Sequence, residues 1–242
     1  MSNYWNSTIQ YSQISVEELK RKAQESASKA EKKGKKMHPI VIEGRAITQS
    51  WWGKAWCHKM ESYADYATRL DRGKRYVRSG AVIDLQITNG KISARVQGSR
   101  KAPYKVEIRI SRLNEEHCQT IIQQCSRKIE NLEELINGSF PDDLKKLFLS
   151  DSGLFPSPKE ISYQCSCPDW ALMCKHVAAV MYGIGARFDE NPFLFFELRG
   201  IDVNRFIDVT LQNKVETMLE HTDISSDRVL DDDCVETIFG IR

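Results

Sequence analysis

ISYQCSCPDWALMCKHVAAVMYGIG, residues 161–185, decides how this chain must fold. Within it Cys165, Cys167, Cys174 and His176 form C-x-C, six residues, then C-x-H. Thiolate and imidazole are the usual ligands of zinc, which takes four of them tetrahedrally. The spacing restricts the backbone. Residues i and i+2 share a face of a strand, so ISYQC can deliver Cys165 as a strand and turn Cys167 toward the same ion if its end bends. Pro168 lacks an N–H, so the strand has to stop there. On a helix, i and i+2 point about 200° apart. Cys174 and His176 can therefore converge only if Cys174 precedes a helix and His176 sits in its first turn. The apolar run from Val177 onward supplies that helix. The segment thus reads strand, bent loop, helix, closed around one ion.

Four protein ligands leave no coordination position for water, which points to a structural zinc and not a catalytic one. A disulfide pairing is the alternative. The chain has seven cysteines, and its opening MSNYWNSTIQ has neither a basic region nor an apolar core of a signal peptide, so a reducing, cytoplasmic setting is expected. Thiolate–zinc chemistry suits that compartment.

C-x-C, a variable gap and C-x-H resemble the SWIM zinc finger, found in SWI/SNF-type ATPases, Mutator-type transposases and some protein kinases. The four ligands match, as do the short β-like run before them, CPDW, and the hydrophobic helix after the histidine. Upstream, ITQSWWGKAWC, RLDRGKRYVRSGAVIDLQI and ARVQGSRKAPYKVEI resemble bacterial SWIM proteins, as does FGI near the end. The likeness covers roughly residues 15–242. It implies one bound Zn2+ and, as a partner, the SWI/SNF-type helicase-like ATPase beside which such proteins occur.

The 242 residues allow one large domain or two small ones. A hydrophobic content of 41% and a charged content of 28% describe an ordinary globular chain, and no apolar run is long enough to span a membrane. The net charge of +2 conceals an asymmetry. Residues 20–112 carry 23 Lys/Arg against 8 Asp/Glu, whereas residues 113–242 carry 12 against 23. A basic half of this kind suits a polyanion, DNA or RNA, unless the two halves neutralise each other within the fold.

Ser15 with Glu18 fits a capping box and opens a lysine-rich helix that breaks at Gly34 and Pro39. Trp52, Trp56, Met60 and Tyr63 recur at helical spacing and read as core. Arg69, Arg72, Lys74, Arg75 and Arg78 surround Gly73, and the glycine suggests an exposed loop. Those five cations are the leading phosphate contacts, with Arg95, Arg100, Lys101 and Arg109 supporting them. Ile83–Ile87, Ile92–Val96 and Val106–Ile110 alternate apolar and polar residues, with Asn89-Gly90 as a hairpin signal. They predict a three-stranded antiparallel meander whose outer face carries Lys91, Arg95, Lys105 and Arg109. Helical periodicity follows from 114 to Gly138, over 141–149 and over 203–219, and Cys57, Cys118 and Cys125 read as packing residues. Phe193 to Phe196 must be buried, either against the zinc helix or in a partner.

The fold expected is α+β: a basic three-stranded sheet with flanking helices, then a mostly helical region carrying the zinc knuckle. The expected divisions are 1–40, a basic helix and linker; 41–112, a helix and the sheet; 113–158, a helical connector; 159–200, the finger; and 201–242, an acidic helical region. No phosphate-binding glycine loop or nucleophilic serine elbow occurs, and neighbouring Cys57 and His58 do not face each other on a helix. The expectation is a non-enzymatic, DNA- or RNA-binding accessory of a helicase-like ATPase. A pure protein adaptor whose basic half meets an acidic partner is the alternative, and a zinc hydrolase a third.

Overall fold

Alternating apolar residues in three successive segments build an antiparallel sheet, and the strand that enters the zinc ligands completes it. A computed structural model describes residues 14–126, 142–150 and 153–220. Strands β1 (Val82–Thr88), β2 (Lys91–Val96), β3 (Tyr104–Ile110) and β4 (Ile161–Cys165) lie in the order β1-β2-β3-β4, each antiparallel to its neighbour. The sheet therefore has four strands where three were expected. β4 is the ISYQC strand already read before the ligands; what its sequence does not show is that it pairs with β3, some fifty residues upstream.

The register decides where the ligands go. Val106 lies opposite Cys165, Ile108 opposite Tyr163 and Ile110 opposite Ile161. Directly opposed residues share a face. Val106, Ile108 and Ile110 are buried, so β4 turns Cys165 toward the interior.

The inner face of the sheet packs on α6 (Lys175–Glu190), a helix buried along nearly its whole length. Earlier helices are α1 (Val16–Glu31), α2 (Trp51–Glu61), α3 (Ala67–Arg78), α4 (Glu115–Ser126) and α5 (Asp142–Leu149); α7 (Phe193–Leu198) and α8 (Val203–Glu220) follow. α2 docks on α6 through its indoles: Trp52 donates to the Phe188 carbonyl at 3.1 Å and Trp56 to that of Met181 at 2.9 Å. Asp189 accepts from the Gln49 and Ser50 amides and fixes the start of α2. The second half of the FLFF run is internal and the first half is half-buried: Phe195 meets Phe148, Phe155, Phe188 and Trp56, and Phe196 stacks on Phe206 at 4.9 Å. α4 and α8 pack together, with Asn213 donating to Ser126 at 2.7 Å. The expected extension of α4 to Gly138 and the acidic tail lie outside the described residues.

Ser15 caps α1, accepting from the Glu18 amide at 3.1 Å, as its sequence implied. The stretch read as an arginine loop is instead helix α3. Gly73 is buried against α6, where an added Cβ would lie 2.6 Å from the Ala178 Cβ and 3.0 Å from the Ala179 nitrogen. The glycine serves close helix–helix approach and not a turn. This inverts a usual substitution. Gly→Ala inside a helix normally gains about 1 kcal/mol of propensity. Here the clash is with backbone and a Cβ that cannot rotate away, and overpacking costs about 1–3 kcal/mol. Gly73→Ala is therefore expected to lower the thermal midpoint; a rise would show that α3 and α6 are not so closely packed.

Candidate metal centre

The four ligands arrive from three directions. Cys165 ends β4, the chain bends through 166–168 and brings back Cys167, and Cys174 is the N-cap residue of α6 with His176 in its first turn. Both backbone requirements read from the spacing are met. One donor atom from each residue lies within 4.8 Å of all the others. His176 presents Nδ1, 3.8 Å from the Cys165 sulfur and 4.0 Å from that of Cys174. Zinc–sulfur bonds of about 2.3 Å at tetrahedral angles put sulfur atoms about 3.8 Å apart. The donor set and its dimensions fit one zinc ion with all four positions filled.

The charges fit too. Cys174 has its thiol pKa lowered to about 3, first by the hydrogen bond from Cys165 and, against its burial, by His176. Its place at the N-terminus of α6 also favours a thiolate. Cys165 is pushed up, first by that same hydrogen bond and then by burial, and Cys167 is raised by burial. Burial holds His176 below its ordinary range, as the neutral ring that a metal needs.

Around the ligands lies a shell that the motif does not announce. His176 stacks on Tyr104, centroids 4.1 Å apart, and meets the edge of Tyr76 at 5.4 Å. A metal-bound histidine is usually oriented by a hydrogen bond to its second nitrogen. Here Nε2 is buried without such a bond among the described residues, and the two tyrosine rings set the orientation. The 168–173 loop is tied to the α2–α3 connection: Asp65 accepts from the amides of Leu172 and Met173, and Arg69 pairs with Asp169 at 3.2 Å. No signal in the sequence marks Asp65 or Tyr104, because both meet the site from far along the chain.

Residues 149–183 match the SWIM zinc finger family. The segment is a SWIM zinc finger. It holds one structural zinc ion through Cys165, Cys167, Cys174 and His176. Over 157 residues the chain is 36% identical to Uncharacterized protein Rv2102 of Mycobacterium tuberculosis, a match that takes in 64% of this chain and 56% of the relative. The chain thus spans little more than half the length of that curated relative. No solved structure matches.

The basic residues singled out in the sequence divide between α3, which packs on the zinc helix, and the sheet, and several of them are paired with carboxylates. Arg69 is held by Asp169, and Lys74 pairs with Glu61 at 2.8 Å and lies over the Tyr182 ring. Arg72 and Arg75 are half-buried on α3, and Arg78 reaches the Arg45 carbonyl at 3.4 Å. On the outer sheet face Glu107 pairs with both Lys91 and Arg109, and Asp84 stands across from Arg95, so this face is less basic than its lysines and arginines alone imply. Arg100 and Lys101 are exposed on the β2–β3 connection, with Arg100 over the Tyr104 ring. Cys57, Cys118 and Cys125 stand apart from the cluster as packing residues, and burial pushes the Cys57 thiol up to about 12.

Proposed function

We propose that this protein is a non-enzymatic, zinc-stabilised nucleic-acid-binding accessory of a SWI/SNF-type helicase-like ATPase, acting in the cytoplasm. The observation that carries the reading is the closed site: three thiolates and one imidazole fill the tetrahedron, so no position remains at which zinc could activate water. What remains for such a protein is binding. The charge asymmetry supports a nucleic-acid partner, since residues 20–112 concentrate the positive charge and Lys/Arg contacts to phosphate dominate affinity for DNA and RNA. The ATPase partner follows from the resemblance of the flanking motifs to bacterial SWIM proteins. Among the described residues no helix is long and apolar enough to cross a membrane.

A pure adaptor is the competing reading, and one observation favours it. Trp170 is 81% exposed on the knuckle, with Leu172 at 64% and Tyr66 beside it, its ring 5.7 Å from that of Trp170. Salt dependence separates the two. The protein is expected to bind DNA or RNA with weak sequence preference, because the contacts proposed are with phosphates, which carry no sequence information directly. Affinity should fall with salt at a log–log slope of about −0.9 per duplex phosphate neutralised. Fluorescence anisotropy of labelled oligonucleotides over a salt series checks this. If neither nucleic acid binds at low salt, the adaptor is the better reading. Purification from the native cell tests for the co-purifying ATPase.

A further inference from the structure

Five cations converge on one cleft. It lies between the C-terminal end of α1 and the connection from β2 to β3, and Lys29, Lys33, Lys35, Arg95 and Lys101 line it. They come from α1, the residues just after it, a strand and a loop. None of the five makes an ion pair among the described residues, and no acidic residue lines the cleft. Ala30, Ile83 and Pro103 give it an apolar floor. Elsewhere in the basic half, Arg69, Lys74, Lys91 and Arg109 each have a carboxylate. Lysines at a helix C-terminus ordinarily just offset its partial charge of about −0.5. That accounts for Lys29 and Lys33. It does not account for Lys35, Arg95 and Lys101, which reach the same cleft from other elements.

The walls are fixed. Ser26 of α1 donates to Gln97 at 2.7 Å, and Lys22 donates to the Ser99 carbonyl at 3.0 Å. Gln97, fully buried, donates to the Arg100 carbonyl at 2.7 Å and locks the connection from within. On the far side Gly98 abuts Tyr104 and His176: an added Cβ would lie 2.6 Å from the Tyr104 ring and 3.2 Å from His176 Nε2. The loop that carries Lys101 is thus clamped between α1 and a zinc ligand. The five like charges share one cleft with no carboxylate in its lining, so a polyanion laid along it meets all five at once.

We infer that this cleft, lined by Lys29, Lys33, Lys35, Arg95 and Lys101, is the track on which the protein takes a phosphodiester backbone. The inference rests on the nucleic-acid reading above and moves its centre from α3 to the α1–sheet cleft. Arg95 marks the edge of the track, because the outer face of the sheet beyond it carries Asp84 and Glu107.

The test is anisotropy of labelled single-stranded and duplex DNA over a salt series, with two triple variants of equal charge. Lys29→Gln/Lys33→Gln/Lys101→Gln empties the cleft of three cations. Lys54→Gln/Lys146→Gln/Lys159→Gln removes three exposed lysines elsewhere. All six positions are at the surface, so both proteins should fold and keep full zinc, which elemental analysis confirms. The cleft variant is expected to bind both DNAs at least about tenfold more weakly, with the salt slope flatter by about 0.7–0.9 for each phosphate no longer neutralised. The control should bind less than about twofold more weakly than the native protein. The slopes of the two DNAs identify whether one strand or a duplex occupies the track. Equal affinity of the cleft variant and the native protein would overturn the cleft while leaving nucleic-acid binding intact. Failure of the native protein to bind either DNA, or a labelled single-stranded RNA of the same length, would overturn the nucleic-acid reading itself.

Discussion

Cys174→Ser is expected to lose the zinc and loosen the centre of the molecule. Cys174 is buried, supplies one of four ligands and stands at the N-terminal end of the helix on which the sheet, α2 and α3 all pack. Structural zinc supplies roughly 10–16 kcal/mol to isolated zinc fingers, which are unfolded without it. The loss should be smaller here, because α6 is also held by Trp52, Trp56 and the close approach at Gly73. Metal content should fall well below one zinc per chain. Amide exchange should accelerate over 161–176 and, through Gly98 and Tyr104, over 97–104. Cys118→Ser, outside the cluster, should keep its zinc. A pH dependence follows from the same site. Cys165 and Cys167 hold their protons above the ordinary thiol range without metal, so zinc must displace them. Zinc affinity should therefore rise with pH and weaken on acidification. Full zinc in Cys174→Ser would remove that residue from the ligand set.

Trp56→Ala is expected to be the most costly change away from the metal. The side chain is fully buried, meets Phe155, Phe188 and Phe195, and donates to the Met181 carbonyl. Truncating a buried Trp or Phe to Ala costs about 3–5 kcal/mol, because the transfer term and the cavity add. Trp56→Phe keeps most of the ring packing and removes the indole donor, a hydrogen bond worth about 1 kcal/mol. Exposed Trp170→Ala should change stability by less than about 0.5 kcal/mol. Denaturant midpoints at constant slope measure all three. A Trp56→Ala cost near that of Trp170→Ala would mean that α2 does not dock on α6 as described.

The metal site was legible because its constraints are local. C-x-C before a proline and C-x-H before an apolar run each permit few backbone conformations, and the structure adopts those. The tryptophan stripe, the Ser15 cap and the three strands of the meander were legible for the same reason, since period and capping are short-range. What was not legible depends on residues distant in the chain. ISYQC read as a strand, but not as the fourth strand of the sheet, because its partner β3 lies some fifty residues upstream. Gly73 looks like a turn residue until α6 is laid against it, since a glycine for close approach and a glycine for a bend are the same letter. The arginines near it looked free, and Asp169 and Glu61 meet Arg69 and Lys74 only in the fold. The lysines at the end of α1 read only as part of a lysine-rich helix, and only the fold brings them to one cleft with Arg95 and Lys101.

The closed zinc site is the central claim, and X-ray absorption at the zinc edge of the purified protein tests it most directly. Three sulfur neighbours at about 2.3 Å and one nitrogen at about 2.0 Å are expected, with no change on addition of an exogenous ligand. Two sulfurs with an oxygen scatterer at about 2.0–2.2 Å, exchangeable with added ligand, would show an open position and contradict the structural, non-catalytic role of the metal.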